Sequence, residues 1–311
     1  MEFSTVPFIS VLMVTYNSSA FVTEAIGSVL AQTDANFELV ICDDNSTDNT
    51  WDIINSFKDE RIKASRNDKN LGEYQNRNKA IATAKGDYVI FVDGDDIIYD
   101  YCLKTLTSFA VKYPDCGMIL ARPWNERIIY PLQISSRQFY CFEFLDSGIT
   151  AINFTKILFK KVALLAVNCF DNSKIKMGDD YIQYKIAALY PSLVIQDGFS
   201  WWRRRSGQAS ERLVKNPYLF FMDSLQYKLP ALTNTDLLTS EEKEVAFNNV
   251  YGNYLRYAIR QMLKLRFKNS IGLLRHYPVP GKYLTSVFKK PVKNFFSGYS
   301  GENPLKDFGN V

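Results

Sequence analysis

Three groups of carboxylates are the residues in this sequence best suited to chemistry: Asp93-Gly94-Asp95-Asp96, Asp43-Asp44 and Asp179-Asp180. The first follows Tyr88 to Val92, an apolar run that reads as a short strand buried on both faces. Side chains two apart on an extended chain point the same way, so Asp93 and Asp95 can converge on one small cation. Gly94 between them allows a tight turn. A hard divalent ion held by one or two carboxylates keeps positions open for water and phosphate oxygens. The same residues also suit an acidic turn ahead of a helix, where Asp is common. Acid–base chemistry has few other candidates, because His276 is the only histidine. The five cysteines (Cys42, Cys102, Cys116, Cys141 and Cys169) are scattered without a CxxC, which fits reduced core thiols and neither zinc nor a disulfide framework.

These groups must be positioned by the elements around them. Phe8 to Asn17 reads as an apolar strand ending in polar residues, and Ser18 or Ser19 can cap a helix running to about Gln32. Phe37 to Cys42 is a second buried strand; the loop Asp43 to Asp48 can turn the chain and cap the helix carrying Ile53, Ile54 and Phe57. Arg61 to Ser65 is a weaker strand, and Gly72 to Lys85 a helix stopped by Gly86. A helix from Asp100 to Tyr113 and a strand from Cys116 to Ala121 follow. Residues 128–153 are expected to form substrate-facing loops, and 154–168 suits either a strand or a helix. A helix runs from Asp179-Asp180 to Tyr190, Leu193 to Ile195 is a strand, and Trp201 to Ser210 is an aromatic and basic segment. Strands alternating with helices predict a parallel α/β sheet, whose ligands bind beyond the C-terminal strand ends. Tyr16, Asn17, Asp43, Asp44, Asp93 and Asp95 all fall at such ends, which favours the metal reading. No GxGxxG follows a strand and no Walker A lysine motif is present, so nicotinamide, flavin and P-loop sites are not expected.

Taken in order, Ser10-Val11…Tyr16-Asn17, Ser28 to Thr33, Asp43 to Asp48, Asn70-Leu71-Gly72…Arg77-Asn78…Ala84-Lys85-Gly86 and Asp93-Gly94-Asp95-Asp96 resemble the family 2 glycosyltransferases. The likeness covers roughly residues 8–100 closely and 150–210 loosely. It implies a GT-A fold, meaning a Rossmann-like, mostly parallel sheet flanked by helices, and inverting transfer from a nucleotide-diphospho-sugar. On that resemblance Thr15, Tyr16 and Asn17 would line the nucleotide pocket, and Asp44 would accept the uracil imide hydrogen. Asp95 would be the principal ligand of Mn²⁺ or Mg²⁺, with Asp93 near the ribose or the ion. Arg77 falls in the family's Arg-Asn pair below the donor, or serves as a structural ion-pair partner. Asp180 matches the catalytic carboxylate, and Asp179 remains a candidate for it. Arg203, or else Arg204 or Arg205, would reach the diphosphate when a closing loop folds over.

At 311 residues the chain is expected to hold a catalytic domain over 1–215, with a nucleotide-sugar half (1–100) and an acceptor half (101–215), and a helical accessory region over 216–311. In that region Pro217 to Leu232 and Glu241 to about Tyr277 read as helices. From Tyr251 to Val311 there are 11 Lys+Arg against 2 Asp+Glu, whereas the preceding part carries 26 basic and 31 acidic residues. Aromatics interleaved with lysines near Tyr283 to Lys290 and Lys293 to Phe296 suit an anionic membrane surface, and a solvated basic face on an accessory bundle is the alternative. No apolar run reaches the roughly 18 residues of a membrane span and no signal peptide is recognised. The expected location is therefore cytoplasmic, with peripheral contact at the inner face of the plasma membrane. The expected partners are a nucleotide-sugar donor and a glycan or lipid-linked acceptor in bacterial surface polysaccharide synthesis, with no nucleic acid. A nucleotidyltransferase and a non-catalytic scaffold are the competing readings. The first strand ends in Thr15-Tyr16-Asn17-Ser18-Ser19 rather than a Gly-rich, Lys/Arg-containing loop, which counts against the former.

Overall fold

The computed structural model describes residues 6–33, 36–125, 128–146, 148–150, 153–170, 178–203, 217–264 and 267–289. The sequence readings on Lys176-Met177, on Arg204 to Ser210 and on the tail from Lys290 onward lie outside the described residues. The chain forms two compact units, one of residues 1–136 with 152–208 and one of 137–151 with 209–311.

The first unit is built on β1 (Ile9–Thr15), β2 (Phe37–Asp43), β3 (Ile62–Arg66), β4 (Tyr88–Phe91) and β6 (Met118–Arg122). With β7 (Leu132–Ile134), β8 (Ile157–Lys160) and β9 (Ser192–Gln196) they make one eight-stranded sheet, in the order β3-β2-β1-β4-β8-β6-β9-β7. β8 is antiparallel to β4 and β6, and β7 to β9, while the remaining pairs are parallel. The sheet is therefore mostly parallel, as expected. β1 and β2 are apolar runs buried almost throughout, as strands covered on both faces must be. The main apolar core gathers Val11, Met13, Leu39, Ile41 and Ile90 from these strands with Ile26 and Val29 of α1 (Val22–Leu30) and Leu103 and Leu106 of α4 (Cys102–Lys112).

A polar staple sets the register at the sheet's other end. Buried Glu38 of β2 accepts from Ser10 Oγ of β1 (2.6 Å) and from the Lys85 amide (2.6 Å), while the Gly86 amide donates to Ser10 Oγ (2.8 Å). A Cβ on Gly86 would lie 2.5 Å from the Ser10 nitrogen, so β4 begins flush against β1 only because that side chain is missing.

Several element boundaries differ from the sequence reading. No serine side chain caps α1. Phe21 is its N-cap residue, and the Ser18 carbonyl takes the amides of Phe21 and Val22 (both 2.9 Å). The Ser18 and Ser19 amides are instead drawn to Thr50 Oγ1 (2.8 Å) and Asp48 (3.1 Å), at the start of α2 (Thr50–Ser56). Asp48 does serve that helix, accepting from the Thr50 amide at 3.0 Å. Residues 128–153 are not simply loops, because they contain β7 and α5 (Ser136–Leu145). Phe139, Tyr140, Cys141, Phe144 and Leu145 are all buried on α5, so its sequence shows no amphipathic period. The ambiguous stretch after Phe154 is strand and then helix, β8 followed by α6 (Lys161–Ala166).

The second unit packs α5 residues with α8 (Pro217–Thr233), α9 (Ser240–Leu263) and α10 (Phe267–His276). The single long helix expected from Glu241 to Tyr277 is two helices. α9 opens on a capping box in which the Thr239 side chain and Glu242 satisfy each other's backbone amides. α10 turns back so that buried Ser270 donates to the Ala258 carbonyl (2.8 Å), and Leu274 and Tyr277 pack on Leu225 and Tyr254.

Candidate active site

The strand ends of the first unit place the carboxylates. Asp43, the last residue of β2, is fully buried and consumed by its own turn, accepting from Thr15 Oγ1 (2.9 Å), the Ser46 amide (2.9 Å) and Ser46 Oγ (2.5 Å). Thr15 therefore turns its hydroxyl inward. Asn17, at φ +50°, accepts from the Thr47 amide at 2.8 Å, so it ties the β1 loop to the β2 loop. Between them Tyr16 keeps its side chain outward, half exposed at 50%. Asp44 is buried and accepts from Asn67 Nδ2 (2.8 Å) and the amides of Leu71 (2.8 Å) and Gly72 (2.9 Å). These bonds hold Gly72, at φ +86°, as the N-cap residue of α3 (Glu73–Thr83).

The acidic segment after β4 is a turn rather than extended chain, since the Asp96 amide donates to the Asp93 carbonyl at 2.9 Å. Strand alternation therefore does not govern where Asp93 and Asp95 point, which corrects the geometric argument from sequence. The turn lies close on β1, where a Cβ at Gly94 would meet Thr15 Cγ2 at 2.8 Å. Asp93 is gripped by Arg77 of α3, whose Nη2 lies 2.9 and 3.0 Å from its two carboxylate oxygens. The same Nη2 is 3.0 Å from Glu73, and the guanidinium stacks over Phe91 (5.1 Å) and Phe154 (4.7 Å). Burial opposes the charge on Arg77, but Asp93 and Glu73 more than offset it and hold its pKa above the usual value. Arg77 is an ion-pair partner of the site carboxylates in this fold.

Asp96 turns inward, where it accepts from Thr155 Oγ1 (2.8 Å) and the Arg203 amide (3.2 Å). Burial, reinforced by the charges of Asp93 and Asp95, pushes its carboxyl up to about 7. A two-stranded ribbon of β5 (Ile97–Ile98) and β10 (Ser200–Trp201) carries Arg203 beside the turn. Its Nε donates to the Asp95 carbonyl (3.0 Å), its Nη2 pairs with Glu24, and its plane stacks on Phe21 (4.9 Å) and Trp201 (4.6 Å).

Asp179 and Asp180 occupy the first turn of α7 (Gly178–Leu189), with Asp180 only 4% exposed. The Asp179 carboxyl is pushed up by burial first, then by Asp180 and Glu73, and Arg77 acts against that rise. The Gly178 amide donates to the Tyr74 hydroxyl at 2.7 Å, so α3 holds the start of α7. One helix thus connects the carboxylates of the acidic turn to the pair on α7. Sequence reading passed over Glu24, Glu73, Tyr74, Asp96 and Thr155. Asp96 stood in the acidic run without a role, and the others carry no signal beyond an ordinary helix or loop residue.

Among the described residues, no three Asp, Glu, His or Cys side chains form a ready-made cage for an ion. The donors at the turn are carboxylate oxygens, and Asp93 Oδ1 is buried with Arg77 Nη2 as its ion-pair neighbour at 2.9 Å. Such a donor set fits a Mg²⁺ or Mn²⁺ ion that completes its octahedron with water and substrate phosphates.

A mostly parallel sheet bearing this acidic turn at its C-terminal strand ends is a GT-A glycosyltransferase fold. Residues 10–167 match the family described as glycosyl transferase family 2, and the chain belongs to that family. Over 88 residues it is 44% identical to the UDP-Glc:α-D-GlcNAc-diphosphoundecaprenol β-1,3-glucosyltransferase WfaP of Escherichia coli, covering 28% of this chain and 35% of that one. Over 104 residues it is 38% identical to the poly(ribitol-phosphate) β-N-acetylglucosaminyltransferase TarS of Staphylococcus aureus, covering 32% of this chain and 18% of that one. The chain therefore matches well under half of the length of these relatives. The solved structure of S. aureus TarS 1–349 with UDP-GlcNAc superposes with a TM-score of 0.66 at 21% identity, covering 90% of this chain and 81% of that one. The Pyrobaculum calidifontis mannosyltransferase in complex with GDP-Man and Mn²⁺ superposes with a TM-score of 0.58 at 15% identity, covering 98% and 84%.

Proposed function

We propose that this chain is an inverting glycosyltransferase that moves a sugar from a UDP-sugar, or a dTDP-sugar, to a hydroxyl of a glycan or lipid-linked acceptor in bacterial surface polysaccharide synthesis. The observation that carries the reading is that α3 reaches both carboxylate groups, Arg77 pairing with Asp93 of the acidic turn and the Tyr74 hydroxyl taking the Gly178 amide beside Asp179 and Asp180. The names of the E. coli and S. aureus relatives support the donor and acceptor classes.

The half-exposed Tyr16 offers a ring to the base, with Thr15 and Asn17 holding its loop. Asp44 accepts the uracil imide hydrogen while keeping the 67–72 loop in place. Asp93 serves the ribose and the ion, and Arg77 acts through Asp93 rather than on the donor. Asp95 and Asp93 would hold Mn²⁺ or Mg²⁺, which when bound would supply charge neutralisation for the departing diphosphate. Arg203 reaches the diphosphate by exchanging Glu24 for it. Asp180, or Asp179 in its place, takes the acceptor hydroxyl's proton as that oxygen bonds to the anomeric carbon and the bond to the diphosphate breaks. The Asp179 carboxyl, raised by burial and like charge, is a stronger base than a free one. One base opposite the leaving group gives a single displacement and inversion.

We assign the catalytic work to residues 1–215 and an accessory role to 216–311. No helix among the described residues is long and apolar enough to cross a membrane. We place the basic C-terminal region, with exposed Leu263, Leu284 and Phe288, against an anionic membrane surface, which flotation with phosphatidylglycerol vesicles at low salt tests. The enzymatic reading is tested by Asp180→Asn and Asp179→Asn, with UDP affinity measured by calorimetry beside transfer. Transfer is lost in one of them with UDP affinity retained. Undiminished transfer in both variants would sink the reading.

A further inference from the structure

We infer that Tyr74 is a positioning residue for the acceptor-activating carboxylates, holding the first turn of α7 by its hydroxyl and its ring so that Asp179 and Asp180 stand at a set distance from the acidic turn. The inference rests on the reading of Asp179-Asp180 given above. The amides of a helix's first turn have no partner within the helix and must find one outside it. At α7 the Gly178 amide finds the Tyr74 hydroxyl at 2.7 Å, a partner from a different helix 104 residues away in sequence. Gly178 also sits directly on the ring, where a Cβ would come within 2.9 Å of two ring carbons. Neither contact would exist if the start of α7 shifted by an ångström.

The ring itself is fixed. It stacks on Phe170 with centroids 5.5 Å apart and planes 20° off parallel. Phe170 in turn meets Phe91 (5.9 Å) and Phe154 (5.4 Å), and its amide and carbonyl are both bonded by Asn78 of α3 (3.1 and 2.9 Å). Three residues along α3 from Tyr74 stands Arg77, which grips Asp93, and side chains three apart on a helix are neighbours. The same helix is pinned at its start by Asp44 through Leu71 and Gly72. α3 therefore works as a ruler, with the base at one mark and the leaving-group side at the next. Such spacing matters because a misplacement of about 1 Å costs roughly 100-fold in rate.

Tyr74→Phe tests this, because it keeps the stacked ring and removes only the oxygen. Three readouts are taken on the full chain: amide exchange of the peptide spanning 178–184, UDP affinity, and UDP release from UDP-glucose with a synthetic GlcNAc-diphospholipid acceptor. The expected result is exchange at 178–184 faster by about tenfold, as the loss of one buried hydrogen bond allows. Exchange in β1 and β4 and the affinity for UDP stay unchanged, and turnover falls by about 10- to 100-fold with the donor KM held. Gly178→Ala, which lifts the turn off the ring, is expected to give the same split. Unchanged exchange at 178–184, wild-type turnover, or UDP affinity falling in step with turnover would each overturn the inference. If Asp179→Asn and Asp180→Asn both kept full turnover, the functional reading would fail instead. If one of them is inactive while Tyr74→Phe is fully active, only the positioning role fails.

Discussion

Replacing Arg77 by methionine should unfold the catalytic unit measurably earlier, by an amount that can be worked from its contacts. The side chain is 3% exposed, whereas Glu73 and Asp93 are 47% and 35% exposed. Both carboxylates can therefore turn to water when the cation is removed, and each pair is worth about 1 kcal/mol at most. The guanidinium over Phe91 and Phe154 is desolvated, and that stack is worth about 2 kcal/mol. Methionine retains the apolar stem and fills the space without a new polar group. The sum is about 3–4 kcal/mol, which lowers Tm by about 6–16 °C in a unit of this size. Arg77→Lys should recover part of the loss, since it keeps charge without the planar fork. Scanning fluorimetry on the three proteins with chelator present gives the answer. A Tm for Arg77→Met within about 2 °C of wild type would show that the ion chain is not a structural strut of the site.

The remaining predictions concern the acidic turn. Asp96 has an ordinary value of 3.8 and sits at about 7 in the fold, so between those values the folded protein binds a proton that the unfolded chain releases. Stability from this group is full below about pH 4 and falls as pH rises through about 7, a loss of about 2–3 kcal/mol between pH 5 and pH 8. Urea midpoints with chelator present should show that slope flattened in Asp96→Asn, and an unaltered slope would assign it elsewhere. Asp95→Asn should lose the gain in UDP affinity that Mn²⁺ confers, by at least the roughly tenfold seen for residues merely supporting a metal site. Calorimetry with and without Mn²⁺ checks it, and an intact gain would remove Asp95 from the ion.

The strands were legible because buried β1, β2 and β4 are mostly apolar runs, broken only by Ser10 and Glu38 near one end, and their polar C-terminal ends mark the crevice directly. Local pattern says nothing about which side chain is spent on the fold. Thr15 and Asp43 read as site residues or turn residues alike, and only the β1–β2 register, pairing Thr15 with Asp43, shows that they bond each other. Asp95 and Asp96 are adjacent carboxylates in one run, yet one stands at the rim and the other is sealed against Thr155, 59 residues away. α5 was lost for a similar reason, being apolar on too many sides to show a helical period. Tyr74 could not have been singled out, because its partner Gly178 lies on another helix and the contact is purely tertiary.

The Glu38–Ser10–Gly86 staple lies at the opposite pole of the sheet from all the proposed chemistry. Because β4 is a rigid four-residue rod seated there, its far tip, and the acid it carries, can be no better aligned than its base. Random variation that spares the crevice entirely can still detune it by adding one methyl group at Gly86. Engineers seeking new sugar preferences have latitude around the mouth and almost none at the root.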